Sequence, residues 1–326
     1  MRIILIQTAW LGDNILSTPL VENLARVGLV DVMTLPKWTE VYMNSPFVDE
    51  IIPFDKHGKD NGFIGIHRIS KKLRGRKYDF AIIPQKWWRS AIIAKLAGIP
   101  ERIGFADAPA KNLYTTTVPY ITEKHEIERL CELVRPLGLE PEIFAPKIYP
   151  STEQILQAKR ILSDLDGEKL VAIAPGSAWR TKIYTKYIQL AKILNDMNYK
   201  LLCIGSINDN NLCDKILPNS SKLNFAGKFS ILETAAILMQ SSVLIANDSG
   251  AGHIASAVGT PVITIFGPTV PSQGFYPWGK SNKIIEISLD CRPCNPHGPR
   301  KCPLGHHKCM NDIPIEKIVE AVKLIV

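Results

Sequence analysis

Apolar residues along the chain alternate between two rhythms. Short, nearly continuous apolar runs read as strands buried on both faces, as in a parallel sheet. In the first half these are Arg2–Gln7, Val30–Leu35, Val48–Phe54, Tyr78–Pro84 and Arg102–Phe105. Between them lie helical stretches: Asn14–Arg26, Lys37–Asn44, Ile64–Leu73, Ser90–Ala97 and Glu123–Leu137. Ile15, Leu16, Leu20 and Leu24 share one face of the first, and Pro19 either kinks it or sits one turn in. Leu139–Pro150 carries three prolines and no helical period, and reads as a linker. A second series follows. Its strands are Leu170–Ala174, Lys200–Gly205, Leu223–Phe225, Val243–Ala246, Val262–Phe266 and Lys283–Ile287. Its helices are Ser151–Leu162, opened by a capping pattern, Thr185–Met197, Asn208–Leu217, Ile231–Gln240, Ala251–Val258 and Pro314–Ile325. Alternating strands and helices predict an α/β protein of two doubly wound domains, 1–150 and 151–326, facing one cleft.

Composition sharpens this picture. The 326 residues are 46% hydrophobic and 21% charged, as expected of a soluble protein with proper cores. The net charge of +8 suggests an acidic partner: phosphates, nucleic acid or an anionic membrane surface. MRIILIQTAW lacks a signal-peptide pattern and reads as a first strand. No apolar run reaches the ~18 residues of a membrane span. The expectation is a cytoplasmic protein, at most peripheral on the inner face of a membrane. Seven cysteines is an odd count, and Cys131, Cys203 and Cys213 fall in core-like patterns, unlike a secreted disulfide scaffold.

Three loops carry candidate chemistry. Ala246–Pro268 reads as strand, turn, helix and strand, with Asp248, Ser249, Gly250, Ala251, Gly252 and His253 at the helix start. Free N–H groups there attract anions. A tight turn with a capping serine explains Ser249 and Gly250 but not the crowding of Asp248, Gly252 and His253. Ala174–Lys182, APGSAWRTK, follows a strand and offers Ser177 and Thr181 hydroxyls with Arg180 and Lys182 cations, a set suited to a diphosphate. It lacks the P-loop spacing. Leu11–Asn14 is the first βα loop; Gly12 permits close approach, and Asp13 is either a functional carboxylate or a helix cap. No G-x-G-x-x-G follows either first strand, which disfavours a dehydrogenase. Cys291, Cys294, Cys302 and Cys309 allow a structural zinc site, free thiols or a disulfide. The basic segment from His67 to Lys77 is a solvated face or a surface for anions, and Trp88 stacks on sugar or packs in a core.

LGDNILSTPL, PGSAWRTK and NDSGAGHIASAVGTPVITIFGPT, in that order, resemble the bacterial ADP-heptose:lipopolysaccharide heptosyltransferases. The ending CRPCN…CPLGHHKCM resembles their heptosyltransferase II branch. The resemblance implies a GT-B fold of two Rossmann-like domains, with donor in the second and acceptor in the first. It implies inverting transfer of L-glycero-D-manno-heptose from ADP-heptose to the lipopolysaccharide inner core, with no metal or other cofactor required and no nucleic-acid partner. By it, Asp13 is the general base and Lys182 meets the donor diphosphate. Ser177 and Thr181 share the phosphate loop, Asp248 binds heptose hydroxyls, and Ser249–Gly252 offer N–H groups to phosphates. Phe229 lies near adenine or in a core, and Asp209 near the ribose. Gly12, Arg68, Lys71, Lys72 and Trp88 are the acceptor-side candidates, and the last helix is a candidate to pack back on the first domain. Two departures are Ala251-Gly252, where many members have Leu or Met, and Lys56–Lys77, which matches no strict motif. The alternatives are another nucleotide sugar or acceptor, or a catalytically silent paralogue. Asp13 and Lys182, both present, argue against silence.

Overall fold

The computed structural model describes residues 1–218 and 221–326. They divide into two units, Met1–Tyr149 and Pro150–Val326, each built on its own parallel sheet.

In the first unit, β1 (Arg2–Ile6), β2 (Leu29–Thr34), β3 (Glu50–Pro53), β4 (Phe80–Ile83), β5 (Glu101–Phe105) and β6 (Thr116–Val118) line up as 3-2-1-4-5-6. Every pairing is parallel. The helices are α1 (Leu11–Leu16), α2 (Thr18–Ala25), α3 (Gly62–Arg74), α4 (Trp88–Leu96) and α5 (Glu126–Cys131). Ile4, Ile6, Met33, Ile52 and Ile83 meet Ile66, Ile69 and Leu73 of α3 and Ala91 and Ile93 of α4 in one buried layer. Each such aliphatic side chain contributes about 1.5–3 kcal/mol by leaving water. The strand order reverses between β1 and β4, the position where this architecture places ligands.

The second unit comprises α6 (Thr152–Ile161), β7 (Leu170–Ala174), α7 (Tyr187–Asp196), β8 (Lys200–Cys203), α8 (Asn210–Ile216), α9 (Ile231–Leu238), β9 (Val243–Asn247), α10 (Gly250–Ala257), β10 (Val262–Ile265), β11 (Lys283–Ile285), α11 (Lys308–Asn311) and α12 (Ile315–Ile325). The sheet order 11-10-9-7-8 is the other common doubly wound arrangement, and it reverses between β7 and β9. Both sheets are those of a two-domain Rossmann-like protein. The last helix, a candidate to return to the first unit, packs on α7, β10 and β11 of the second.

Several elements differ from the sequence expectation for identifiable reasons. The helix expected over Asn14–Arg26 begins at Leu11, because the Asp13 carboxylate accepts the Trp10 N–H at 3.1 Å and caps that turn. It breaks at Ser17, and Pro19 sits near the start of α2, where its missing N–H costs nothing. Lys37–Asn44 is instead a 3-10 helix over Pro36–Val41, and Glu132–Leu137 tightens into another that contains Pro136. Leu223–Phe225 makes only an isolated bridge, Asn224 to Cys203, and β6 was not expected. Among the described residues no helix is long and apolar enough to cross a membrane.

Candidate functional site

At the β7/β9 reversal the phosphate-loop candidate and the Asp248 turn meet. Asn247, fully buried at the end of β9, donates to the carbonyls of Pro175 and Gly176 at 2.7 and 3.2 Å. Its own oxygen accepts the Tyr184 N–H and the Tyr187 hydroxyl at 3.0 and 3.1 Å. One buried amide therefore pins both ends of the 175–184 loop to the central strand. A 3-10 turn over Arg180–Lys182 then aims Lys182 back, so that Nζ lies 2.6 Å from Asp248 Oδ2. The Thr269 hydroxyl donates to the same oxygen at 2.7 Å. Lys182 and Asp248 side chains are 11% and 13% exposed, so the pair is largely desolvated yet reachable. Half-exposed Asp248, Ser249, Gly250 and Ala251 lead into α10, and Ser249 makes no side-chain cap, leaving the first-turn N–H groups available to an anion.

Other predicted donor residues sort differently. The Asp209 carboxylate accepts the Ser206 N–H at 2.8 Å and lies against Gly176, where a Cβ would come within 2.3 Å of it. The loops after β7 and β8 thus touch through Asp209, and only glycine fits at 176. Ser177 stays half-exposed, while its hydroxyl accepts the Trp179 N–H at 3.4 Å. The Thr181 hydroxyl, expected to face phosphate, instead donates to the Pro299 carbonyl. Gly252 and His253 are buried, and a Cβ on Gly252 would lie 3.0 Å from Pro277. Half-buried Phe229 packs edge-on against Phe225 at 5.2 Å and lines the crevice between α6 and α9.

The cysteine-rich segment is a strap over this loop. His307 Nε2 lies 2.7 Å from the Thr181 carbonyl, and Gly298 sits against the Lys182 stem. Cys294 N–H bonds to Pro268 at 2.9 Å, tying the strap to the end of β10. All four cysteines are free thiols. The Cys294 thiol donates to the Cys291 carbonyl, and the Cys302 sulfur accepts the His307 N–H. Among the described residues no three His, Cys, Asp or Glu side chains converge as metal donors.

In the first unit, Gly12 and Asp13 lie within α1 rather than in a loop, at the β1/β4 reversal and half-exposed. Asp13 acts electrostatically on two buried groups, Tyr42 and Glu126. Burial pushes the Glu126 carboxyl up to about 7; bonds from Tyr120 and Arg129 counter this in part, and Asp13 adds to the rise. Exposed Trp88 opens α4 at the same sheet edge. The basic segment is placed elsewhere. Arg68 pairs with Asp60 and the Lys59 carbonyl, and Arg74 donates to Leu96 at 2.6 Å. Lys71 and Lys72 are exposed in the last turn of α3, where the charge of Lys72 reaches Glu50 at the start of β3. They stand at the edge opposite Asp13.

Residues 66–305 match the model of glycosyltransferase family 9 (heptosyltransferase). The lipopolysaccharide heptosyltransferase 2 of Escherichia coli K12 is 26% identical, over 100% of this chain and 98% of that protein. A family 9 glycosyltransferase from Veillonella parvula superposes with a TM-score of 0.88 at 21% identity, covering 99% of this chain and 96% of that one. The ADP-heptose lipopolysaccharide heptosyltransferase II of E. coli superposes with a TM-score of 0.82 at 22% identity, covering 100% and 98%.

Proposed function

The chain belongs to glycosyltransferase family 9, the heptosyltransferases, and from that premise we propose that it moves L-glycero-D-manno-heptose from ADP-heptose to the lipopolysaccharide inner core with inversion. The observation that carries this reading is the Lys182–Asp248–Thr269 constellation at the β7/β9 reversal. A donor diphosphate exchanges with Asp248 for the Lys182 ammonium, joined by the first-turn N–H groups of α10. The freed Asp248 carboxylate then accepts hydroxyls of the transferred sugar. Asp13 takes the proton of the acceptor hydroxyl as its oxygen bonds to the anomeric carbon and the bond from that carbon to the phosphate oxygen breaks. The charge left on ADP grows in the transition state, where Lys182 acts most strongly. The protein works at the inner face of the membrane that holds its acceptor.

Incubating the protein with ADP-heptose and a truncated inner-core acceptor tests this. The expected result is one added heptose by mass spectrometry with release of one equivalent of ADP. Consumption of a different nucleotide sugar in place of ADP-heptose, or stabilisation against heat by NAD and not by ADP, overturns it.

A further inference from the structure

Four consecutive βα connections end at the Asp13 edge of the first sheet, and they bring together cations far apart in sequence. Lys56, from the loop after β3, reaches across to the end of β1 and donates to the Thr8 carbonyl at 2.7 Å. Trp38, in the turn after β2, donates to the next carbonyl, Ala9, at 2.9 Å and so places Lys37 at the same edge. Gln85, after β4, donates to Thr8 Oγ1 at 2.8 Å and to Ser90 at 2.7 Å, which fixes the start of α4 and with it Arg89. The segment ringed in this way, Thr8–Trp10, runs directly into the turn capped by Asp13.

These three cations lack counter-charges. No carboxylate lies within ion-pair distance of Lys37, Lys56 or Arg89 among the described residues. Three acids of the neighbouring loops are engaged elsewhere: Asp55 accepts the Gly58 N–H, Asp60 the Asp55 N–H and Arg68, and Asp107 takes Lys86. The Nε of Arg89 is buried with no hydrogen-bond partner. Burial lowers the Lys56 ammonium from its ordinary value, and the charges of Arg89 and Lys37 lower it further. Like charges gathered without a counter-ion raise the energy of the empty site, and an anion relieves it. Around them stand the exposed rings of Trp10, Trp87 and Trp88, at 59, 65 and 42% exposure, flat apolar surfaces suited to sugar faces.

We propose that Lys37, Lys56 and Arg89 bind the anionic substituent, phosphate or carboxylate, of the acceptor saccharide and so hold its hydroxyl at Asp13. This rests on the acceptor reading of the Asp13 edge and moves the anion contact away from Arg68, Lys71 and Lys72.

The test has a binding arm and a kinetic arm. In the first, lysines of the full chain are acylated with acetic anhydride, with inorganic phosphate or acetate present, and read by peptide mass spectrometry. Slower labelling of Lys37 and Lys56, with Lys111 and Lys159 unchanged, supports the site. Protection by phosphate alone assigns a phosphoryl group, and protection by acetate as well assigns a carboxylate. Equal labelling with and without both anions overturns the proposal. In the second arm, the Lys37→Gln/Arg89→Gln variant should raise the acceptor KM about tenfold or more, the scale of one charge-assisted bond at ~1.5–3 kcal/mol, and leave the donor KM unchanged. Arg89→Lys, which keeps the charge, should recover part of the loss. An unchanged acceptor KM, or an equal rise in both KM values, overturns it. If no heptose is transferred at all, the proposed function fails while anion protection still decides the site.

Discussion

Replacing Lys182 by Met removes the ammonium and keeps the aliphatic stem, which separates two roles of one side chain. In the folded protein Nζ stands 2.6 Å from Asp248 Oδ2, with the side chains 11% and 13% exposed. At an effective dielectric of ~20 the gross attraction is about 6 kcal/mol, reduced by the cost of desolvating both ions. Removing one partner of a buried pair costs about 3–5 kcal/mol, because the other charge is left buried. Here Asp248 keeps the Thr269 hydroxyl at 2.7 Å and some water, so the expected loss is about 2–3 kcal/mol. Urea unfolding followed by circular dichroism reads this as a lower midpoint at unchanged slope. Adding Asp248→Asn removes the stranded charge and should restore most of the midpoint. Turnover, read as ADP release, should fall about 100- to 1000-fold in Lys182→Met, the effect of losing one preorganised donor to developing charge. It should stay low in the double variant. A stability loss under about 0.5 kcal/mol would put Lys182 on a solvated surface. Turnover recovered by the double variant would mean that the ammonium only neutralises Asp248.

Asp13→Asn keeps an oxygen to accept the Trp10 N–H, so the melting temperature should hold while turnover drops at least about 100-fold and donor affinity stays intact; near-normal turnover makes Asp13 a helix cap alone. Glu126, raised from 4.5 to about 7 in the fold, binds more protons than the unfolded chain between those values. Stability should therefore be greatest below the unfolded value, decline as pH rises through that window by up to about 3 kcal/mol, and level off above about 7. Glu126→Gln should flatten the decline in urea midpoints, and an unaltered pH slope refutes the assignment. Gly298 has φ +87° and its missing Cβ would lie 3.1 Å from Lys182 Cε. Gly298→Ala should cost about 1 kcal/mol in backbone strain and weaken ADP binding by calorimetry, with the acceptor KM unchanged; normal ADP affinity would remove the strap from the donor site.

The strands were legible because parallel strands are apolar on both faces, and the helices because the apolar period changes between them. What escaped was decided by partners distant in sequence. The helical period runs through Ser17 without interruption, and Pro19 alone does not tell a kink from a first-turn position, so the break between α1 and α2 was only half marked. Thr116–Val118 is a strand only because β5 offers it an edge. In the site, the loops after β7 and β9 could be recognised as anion-binding, yet the contact of Lys182 with Asp248, 66 residues apart, could not. Nor could Asn247, which reads as a turn residue and acts as the buried clamp for the whole loop. The cysteine spacing gave no sign that Gly298, Pro299 and His307 of that segment lie against Thr181 and Lys182.

The basic segment shows why charge density along a chain misleads about charge density in space. α3 has 13 residues, so at ~1.5 Å per residue it spans about 20 Å from its first turn to its last. Its first turn follows the end of β3, and its last turn lies near the start of β3 and leads into β4. A run of lysines and arginines that looks like one surface is thus carried from the ligand edge of the sheet to the opposite one. Two of its arginines also satisfy local acceptors, Asp60 and the Leu96 carbonyl. Lys37, Lys56 and Arg89 belong to three separate loops, and no single run of basic residues contains them all. Each follows a strand by a few residues, and in a parallel sheet every such position arrives at the same edge. The informative pattern for an anion site in this fold is therefore a cation just after each of several strands, and its signature is three charges with no acid left to pair them.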